Sequence, residues 1–369
     1  MLLMRHPVCR ALAAVLGLAG TALLASSAVR ADVKPNPREL VPAAITVEAR
    51  AITSFNRVGA AGTRFGRLDF RGGLVLTSPD SRHFGGWSGL VLDTDGLDTD
   101  AQGFAAVSDS GVWLTGSIVY ANGKPAAIKD AHLGPLLALD GKPLKRNRDR
   151  DAEAIALVSG TTRKGSVLIA FEQNNRLARH DVSSDGFSRA LQLLEKPRGA
   201  GDMRRNNGFE AMTVMRGGPH KGLPVALSER LYDASRNHTG WIWMPGGAQA
   251  FHITNIGDFD ITDIASQDDG TLFVLERRFR WLEGVKMRIR RFDAAALQPG
   301  KTLDGETLIE ANLEYEIDNM EGLAVTRGKN HETVLTLISD DNFNRMIQRT
   351  LLLQFALPEA VTAKTRPLR

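Results

Sequence analysis

The sequence has few of the residues that stabilise small exported domains or that form common catalytic motifs. Of its 369 residues one is a cysteine, Cys9, and aromatic residues make up 6%. A single cysteine excludes disulfides within the chain as a source of stability. The eight histidines show no H-E-x-x-H spacing, which argues against a zinc hydrolase of that kind. Sustained helical periodicity is also missing after the first 31 residues, so we expect a protein built mostly from β-strands.

The N-terminal 31 residues have the composition of a secretory signal. Arg5 and Arg10 precede an apolar stretch over 11–28, and Val29-Arg30-Ala31 places small residues around a cleavage site. The alternative is an uncleaved membrane anchor, but the stretch is rich in Ala and Gly and is interrupted by hydroxyl-bearing residues. We therefore expect a signal peptide over 1–31, cleavage before Asp32, a periplasmic or secreted product, and no stable membrane insertion of that product.

Removal of this segment changes the charge balance of the chain. The whole sequence has 46 basic and 42 acidic residues, and the segment holds three of the arginines and no acid. The remaining chain is close to neutral, unlike nucleic-acid-binding domains, in which clustered basic residues are in strong excess. We expect no nucleic-acid partner. The Pro-rich residues 32–44 are predicted to form an extended leader.

Five short stretches share one pattern, and the rest of the chain is organised around them. Each begins with a residue that is followed by a small or short side chain and then an apolar one, and each continues to an apolar run that ends on an acid. The first positions are Ser88, Glu153, Glu210, Thr262 and Glu321, and the runs end at Asp109, Glu172, Glu229, Glu276 and Asp340. In the second, third and fifth copies the two acids are 19 positions apart. Such recurrence is typical of a β-propeller, in which small antiparallel sheets surround one axis.

The number of sheets depends on how the two ends of the chain are used. Five copies are visible, and a sixth sheet would combine N-terminal strands over 45–85 with the C-terminal segment 351–355, which would close the ring. We therefore predict an all-β propeller over 45–369 with six four-stranded blades. The alternative is a ring of five blades with an N-terminal extension.

The first acids of the repeats are the leading candidates for a site. The small residues next to them suit strands that converge on an axis, so Glu153, Glu210 and Glu321 are predicted to meet in the central channel. There they would bind a hard cation such as Ca²⁺ or activate a water molecule. Like charges at close range raise each other's pKa, so a metal ion or an arginine is needed to keep them ionised. The alternative is that each glutamate only hydrogen-bonds the backbone of the next blade and locks the ring.

A second set of acids and two arginines complete the predicted site. Further metal ligands are predicted at four acids that end the apolar runs, namely Asp109, Glu172, Glu229 and Asp340. Arg230 and Arg277 directly follow two run-ending acids and are predicted to clamp an anionic group of the substrate. The alternative for these arginines is an ion pair within a blade.

Four motifs resemble those of a known family. They are Arg150-Asp151-Ala152-Glu153-Ala154-Ile155, Asn207-Gly208-Phe209-Glu210-Ala211-Met212, Ala226-Leu227-Ser228-Glu229-Arg230 and Asn319-Met320-Glu321-Gly322-Leu323. As a set they resemble the phytase-like family, described as "esterase-like activity of phytase", from about residue 50 to 357. The resemblance implies a secreted bacterial β-propeller and suggests a relationship to calcium-dependent propeller phosphoesterases. The multi-calcium pocket of a true phytase does not map residue by residue onto this sequence.

These patterns lead to one functional hypothesis and two alternatives. The hypothesis is a hydrolase that acts on a phosphate or carboxylic ester in the propeller channel with a divalent cation, so its partner would be a small anionic or ester substrate. The alternatives are a non-catalytic propeller that binds a ligand or an envelope partner, and a metal-dependent lactonase-like hydrolase. Carboxylates clustered asymmetrically at one mouth of the channel would favour catalysis. Carboxylates paired with backbone all round the ring would favour a scaffold.

Overall fold

The fold is built from short antiparallel strands. A computed structural model describes residues 34–58, 62–94, 100–203 and 208–358, and the predicted signal peptide lies outside this part of the chain. The strands are β1 (Ala43–Ala44), β2 (Glu48–Ile52), β3 (Arg64–Phe65), β4 (Leu68–Thr77), β5 (Trp87–Leu92), β6 (Ala101–Ser108), β7 (Val112–Ala121), β8 (Lys124–Pro135), β9 (Ala152–Thr161), β10 (Lys164–Phe171), β11 (Arg176–Ser183), β12 (Gly186–Phe187), β13 (Gln192–Leu193), β14 (Phe209–Val214), β15 (Pro224–Tyr232), β16 (His238–Met244), β17 (Gly247–Ile253), β18 (Asp260–Ser266), β19 (Leu272–Arg280), β20 (Gly284–Phe292), β21 (Thr302–Leu303), β22 (Glu306–Ala311), β23 (Asn319–Arg327), β24 (Thr333–Asp340) and β25 (Thr350–Leu357). The helical elements are α1 (Asn147–Arg150) and 3₁₀ turns at Pro37–Glu39, Ala200–Asp202 and Ala294–Ala296.

The described strands form five sheets arranged as the blades of a propeller. Written from the axis outward, blade 1 is β5-β6-β7-β8-β1, blade 2 is β9-β10-β11-β12 with β13 beside β11, blade 3 is β14-β15-β16-β17-β21, blade 4 is β18-β19-β20-β22, and blade 5 is β23-β24-β25-β4-β2 with β3 beside β4. The innermost strands pack in a closed ring, in the order β5, β9, β14, β18, β23 and back to β5. The prediction of an all-β propeller is confirmed. The prediction of six blades is wrong, and the five-blade alternative is confirmed.

The N-terminal strands explain the error in the blade count. Strand β4 pairs antiparallel with β25, with Leu74 opposite Leu352, so the two ends of the chain meet in one sheet. This is the pairing expected to close the ring. That sheet, however, already contains β23 and β24, so the N-terminal strands complete the fifth blade instead of beginning a sixth. Five blades leave more chain than four strands each would need, and this chain forms extra edge strands and long connections between the blades.

The blades are held together by apolar side chains packed between their faces. Strand β24 is buried at every position, because a strand with sheets on both faces has no solvent side. Outer strands such as β8 have exposed positions among the buried ones. Between blades 1 and 2, Trp113 stacks on Phe187 with ring centroids 5.6 Å apart. This packing fixes the inner strands relative to one another and therefore fixes the geometry at the axis.

Candidate metal centre at the channel mouth

Each inner strand contains a β-bulge at the first position of the repeat. The pairing with the neighbouring strand skips one residue in all five blades, and the skipped residues are Ser88, Glu153, Glu210, Thr262 and Glu321. A bulge re-aims a side chain and leaves its backbone out of the ladder. The residues two positions further on, Leu90, Ile155, Met212, Ile264 and Leu323, line one cavity along the axis. Since residues i and i+2 of a strand share a face, the bulge residues lie at one end of this channel.

The second strand of each blade adds one more residue to this end of the channel. Opposite the residue before each bulge stand Ser108, Phe171, Ser228, Glu276 and Ser339. The next residues, Asp109, Glu172, Glu229, Arg277 and Asp340, therefore occupy equivalent positions. We call the end of the channel lined by these residues and the bulge residues the acidic mouth.

Blade 4 departs from the register that the sequence pattern indicated. Glu276 pairs across the sheet with Ile261, so it corresponds to the serines of blades 1, 3 and 5. Arg277 takes the place of the acid. The sequence aligned Glu276 with the run-ending acids, and this was wrong by one position. Arg277 follows Thr262 by 15 positions instead of the 19 that separate the acids of the other copies, because the hairpin of blade 4 is shorter.

Small residues beside the bulges let the inner strands approach one another closely. A Cβ added at Gly89 would lie 2.8 Å from the backbone nitrogen of Ile155 and 2.9 Å from Cα of Ala154. At Gly322 it would lie 3.2 Å from the backbone nitrogen of Leu90. The backbones of neighbouring blades are thus in contact, which is what the small residues of the repeat indicated. The acids next to them are brought together by this contact.

Two overlapping groups of acids at the acidic mouth have the spacing of a metal site. Asp151, Glu153 and Glu172 each offer an oxygen within 4.8 Å of the others, and so do Glu172, Glu210 and Glu229. Glu172 belongs to both groups. Oxygen donors at this spacing suit a hard cation such as Ca²⁺, which takes carboxylate ligands in a flexible geometry.

The side chains of two of these acids accept no hydrogen bond from the described residues, although Lys34 acts electrostatically on Glu153 and Arg277 acts on Glu210. The side chains of Glu153 and Glu210 are buried, with exposed fractions of 7% and 8%, and accept no hydrogen bond there. By contrast, Oε1 of Glu172 accepts a bond from the backbone N–H of Gly208 at 3.2 Å. Oε1 of Glu321 accepts bonds from Asn319 at 2.7 Å and from Arg277 at 3.0 Å. Burial of these two side chains disfavours their charged forms, so a proton or an additional cation would stabilise them.

The pKa values of the acids are raised at the acidic mouth. Burial, which disfavours the charged form, raises the pKa of Asp109 to about 6 and the pKa values of Glu172 and Glu229 to about 7. Burial and then neighbouring carboxylates raise the pKa values of Glu153 and Glu210 well above the ordinary value. The pKa of Asp340 is also raised well above its ordinary value, by burial and by the nearby Glu321 and Asp109. A cation among these groups would favour their ionised forms.

The two predicted arginines lie at the acidic mouth but are already engaged by acids. Arg277 is 3.0 Å from Oε1 of Glu321 and 3.9 Å from Oε1 of Glu229. Burial alone would lower the pKa of Arg277, but the surrounding carboxylates, Glu321 first, outweigh it and raise the pKa. Arg230 is half exposed, donates two hydrogen bonds to Asp260 at 3.0 and 2.6 Å, and lies 3.2 Å from Glu229. The sequence therefore placed both arginines near the acids but did not reveal Asp260 as a competing partner.

A third cation, Lys34, was not anticipated from the sequence. Its Nζ lies 2.6 Å from Oδ2 of Asp109 and 3.6 Å from Oδ1 of Asp151. The two carboxylates outweigh the effect of burial and raise the pKa of Lys34. Nothing in the Pro-rich leader marks this lysine, because its position depends on a fold in which the leader returns to the axis.

Blade 4 shows the structural role that was considered as the alternative for all the acids. Asp263 accepts a hydrogen bond from the N–H of Leu323 in blade 5 at 2.7 Å and another from its neighbour Ile264 at 2.8 Å. Glu276 is fully enclosed and accepts hydrogen bonds from Arg288 at 2.5 Å and from Arg290 at 2.9 Å. These two acids lock the blade. In the described part of the chain no group donates a hydrogen bond to the side chain of Glu153 or Glu210, so the acids of the ring do not share one role.

Two further observations bear on the sequence-based expectations. Residues 204–207, which include Asn207 of one family-like motif, lie outside the described residues. In the part of the chain that the structure describes, no helix has the length and apolar character needed to cross a membrane.

Comparison with known proteins places the chain in a family. The model of the phytase-like family, described as "Esterase-like activity of phytase", matches residues 82–343, which is most of the chain. The protein belongs to this family. The match is shorter at both ends than the range over which the sequence resembled the family. No curated protein matches the chain.

Solved structures resemble the chain only distantly. A nidogen/laminin complex matches with 13% identity and a TM-score of 0.36, covering 78% of this chain and 94% of that one. The six-bladed fungal lectin of Aleuria aurantia matches with 10% identity and a TM-score of 0.36, covering 73% and 79%. Virginiamycin B lyase from Staphylococcus aureus matches with 11% identity and a TM-score of 0.34, covering 85% and 100%. Matches at this level carry no argument about the site or its function.

Proposed function

We propose that the acidic mouth binds a divalent cation, with Ca²⁺ as the first candidate, and that the loaded protein hydrolyses a phosphate or carboxylic ester there. The observation that carries this proposal is the spacing of the acids around Glu172, together with Glu153 and Glu210, two buried side chains that accept no hydrogen bond from the described residues. Membership of the phytase-like family supports a hydrolase of this kind. The predicted signal peptide supports action in the periplasm or outside the cell.

The residues that would hold the cation come from blades 2 and 3. Glu172, Glu210 and Glu229 form the group that joins the two blades, since Glu172 directly follows β10 of blade 2 and the other two lie on β14 and β15 of blade 3. Asp151 and Glu153 extend the acidic surface from blade 2. A bound divalent cation would polarise an ester oxygen and offset charge that develops during hydrolysis. Asp109, Glu321 and Asp340 were also predicted as ligands. They contact Lys34, Arg277 and Asn319, respectively, and would surround the bound cation without coordinating it.

The chain's own residues would orient the substrate and move protons. Glu153, which accepts no hydrogen bond from the described residues, is available to take a proton from an attacking water molecule. Arg230 is half exposed at the rim and would meet an anionic group of the substrate by exchanging part of its bond to Asp260. Arg277 is more enclosed and would hold Glu321 and Glu229 in place as well as face the substrate.

A non-catalytic binding protein is the second candidate, and one observation favours it. Both arginines that would clamp a substrate are paired with acids of the same mouth, so neither offers a free guanidinium to an anion. A propeller that binds a cation for stability alone would have the same pairs. The two candidates differ in whether the metal-loaded protein turns over any ester.

Assays of the metal-stripped protein separate these functions. Residues 32–369 would be treated with chelator and tested with and without Ca²⁺ on panels of phosphate esters, carboxylic esters and lactones. We expect chelator-sensitive turnover and a loss of about 100-fold or more in Glu210→Gln, the range typical of removing a group that stabilises the transition state. The matched control is Glu310→Gln, an acid exposed on the outer strand of blade 4. Calcium binding without turnover on any panel would establish the binding protein, and turnover confined to lactones would establish the lactonase-like alternative.

A further inference from the structure

We infer that Lys34 is a built-in cation that occupies the blade 1 side of the acidic mouth and excludes a second divalent ion from the acids around Asp151. This inference rests on the proposed function, because it assumes that the mouth binds divalent cations. On this inference, Lys34 competes with a metal ion for one of the two acid groups. It also predicts the number of metal ions that the native protein holds.

The position of the ammonium group carries the inference. Nζ of Lys34 is 2.6 Å from Oδ2 of Asp109 and 3.6 Å from Oδ1 of Asp151, although the rest of the side chain is half exposed. Asp151 belongs to one of the two groups with metal-ligand spacing, together with Glu153 and Glu172. A divalent ion on that group would share Asp151 with the ammonium group. Two cations on one carboxylate repel each other, so the site is filled either by Lys34 or by a metal ion.

The ammonium group of Lys34 leaves one carboxylate oxygen in this region without a hydrogen-bond donor among the described residues. Oδ1 of Asp109 is buried and has no hydrogen-bond partner among the described residues. Glu153, near Asp151, is also buried, and its side chain accepts no hydrogen bond from the described residues. A single ammonium group therefore leaves acceptors that a cation with six to eight oxygen ligands would use. The place held by Lys34 is thus suited to a metal ion that the native chain keeps out.

The N-terminal segment is fixed in a way that delivers Lys34 to this place. Asn36 accepts a hydrogen bond from Nη1 of Arg150 at 2.7 Å, at the end of α1, and Arg38 donates one to the backbone oxygen of Lys145 at 2.5 Å. Pro37 between them is buried. Further along, β1 pairs with β8 at the outer edge of blade 1, with Ala43 opposite Leu133. The segment therefore runs from the edge of blade 1 across the connection to blade 2, and its anchors do not depend on the lysine.

The two acid groups differ in whether Lys34 contacts them, and this difference predicts how many divalent ions the native protein binds. The group of Glu172, Glu210 and Glu229 is not contacted by Lys34 within ion-pair distance. Among the described residues, the cations within ion-pair distance of this group are Arg230 and Arg277, which both contact Glu229. We expect one divalent ion on this group in the native protein. Removal of the ammonium group of Lys34 should allow a second divalent ion to bind at the group of Asp151, Glu153 and Glu172.

The test is a count of bound metal ions in matched variants. Chelator-treated protein would be titrated with Ca²⁺ by calorimetry, and bound Mn²⁺ would be counted after equilibrium dialysis. The variants are Lys34→Met and Lys34→Gln, which remove the charge, Lys34→Arg, which keeps it, and Lys145→Met, a control on the nearby connection. Because Asn36, Pro37 and Arg38 anchor the segment, both neutral variants should fold, and the gain in melting temperature caused by calcium should be larger for them than for the native protein.

The outcomes separate this inference from the proposed function. About two ions per chain in both neutral variants, and about one in the native protein, Lys34→Arg and Lys145→Met, would support it. Metal binding only in the neutral variants would overturn the predicted count of one ion in the native protein and the proposed function, since Lys34 would then block the whole mouth. The same count and affinity in all five proteins would overturn the role of Lys34 and leave the metal site standing. Absence of binding in every protein would overturn both.

Discussion

The acids of blades 2 and 3 and the acids of blade 4 have the same chemistry in different surroundings. Glu153 and Glu210 occupy bulges at the axis, and their side chains accept no hydrogen bond from the described residues. Asp263 and Glu276 lie within one position of the equivalent places in blade 4, yet one accepts two backbone hydrogen bonds and the other is enclosed by two arginines. A shift of one residue along a strand turns a side chain to the other face. It therefore separates acids that hold the fold from acids that require a ligand.

The comparison shows why the acidic mouth is not explained by architecture alone. A ring of structural locks would pair each carboxylate with donors of the next blade, as Asp263 does with Leu323. Glu153 and Glu210 depart from this arrangement, although Glu172 accepts a bond from Gly208, which precedes the inner strand of blade 3. Acids of blades 1, 2, 3 and 5 line the mouth, and Arg277 takes the equivalent position in blade 4. A ring of carboxylates with an arginine among them suits a binding site for a cation and an anionic substrate.

Removal of a blade 4 acid should give the largest loss of stability. In Glu276→Gln, Arg288 and Arg290 would remain buried without a counter-charge, so we expect the free energy of unfolding to fall by about 3–5 kcal/mol. Chemical denaturation in the presence of chelator measures this. The control is Glu283→Gln on the exposed hairpin of blade 4, which should change stability little. A small loss in Glu276→Gln would show that the buried arginines do not depend on this acid.

The acids of blades 2 and 3 should make the metal-free protein less stable as the pH rises. Burial raises the pKa values of Glu172 and Glu229 to about 7, above the value near 4.5 that they have when unfolded. Between these values the folded state binds more protons than the unfolded state, so the free energy of unfolding falls with increasing pH. For Glu172 the full difference corresponds to about 3 kcal/mol. Thermal melts in chelator from about pH 4.5 to 8 test this sign.

Two comparisons sharpen the pH experiment. Calcium should flatten the dependence, because a bound cation favours the ionised acids. Glu172→Gln should have a shallower slope than the native protein in chelator, since one titrating group is gone. A metal-free stability that increases over this interval would mean that the acids are partnered like those of blade 4.

Loss of the shared acid should weaken metal binding with less effect on folding. Glu172 is the one residue common to both acid groups, so Glu172→Gln should reduce calcium affinity at least tenfold, about 1.4 kcal/mol. Calorimetric titration measures the affinity, and Glu310→Gln serves as the control with an unchanged value. Equal affinity in Glu172→Gln and the native protein would place the cation away from blades 2 and 3.

The sequence was a good guide to the parts of this protein that repeat. Small residues next to an acid, and apolar runs that end on an acid, predicted inner strands in contact and a ring of side chains at the axis, because both patterns follow from the geometry of each blade. Closure through the two ends was also predicted, since segment 351–355 needed a partner strand. The blade count was wrong because composition does not show whether two terminal segments share a sheet or form a new one.

The features that do not repeat were harder to predict. Glu276 and Arg277 are adjacent, and only the position of the bulge shows which of them faces the axis. Lys34 belongs to no copy of the repeat, and its contact with Asp109 joins residues 75 positions apart. The pairing of Arg230 with Asp260 likewise depends on how blades 3 and 4 pack. Long-range contacts of this kind decide which acids remain without a partner.

The most direct test of the account is the position of a bound metal ion. Crystals of the chelator-treated protein would be soaked in Mn²⁺, a probe for sites that bind hard cations through oxygen, and the anomalous signal would be mapped. We predict a peak among the carboxylates of Glu172, Glu210 and Glu229 and none beside Glu276. A mouth without a peak at a Mn²⁺ concentration that saturates binding in solution would contradict the central claim that the acids of blades 2 and 3 form the metal centre.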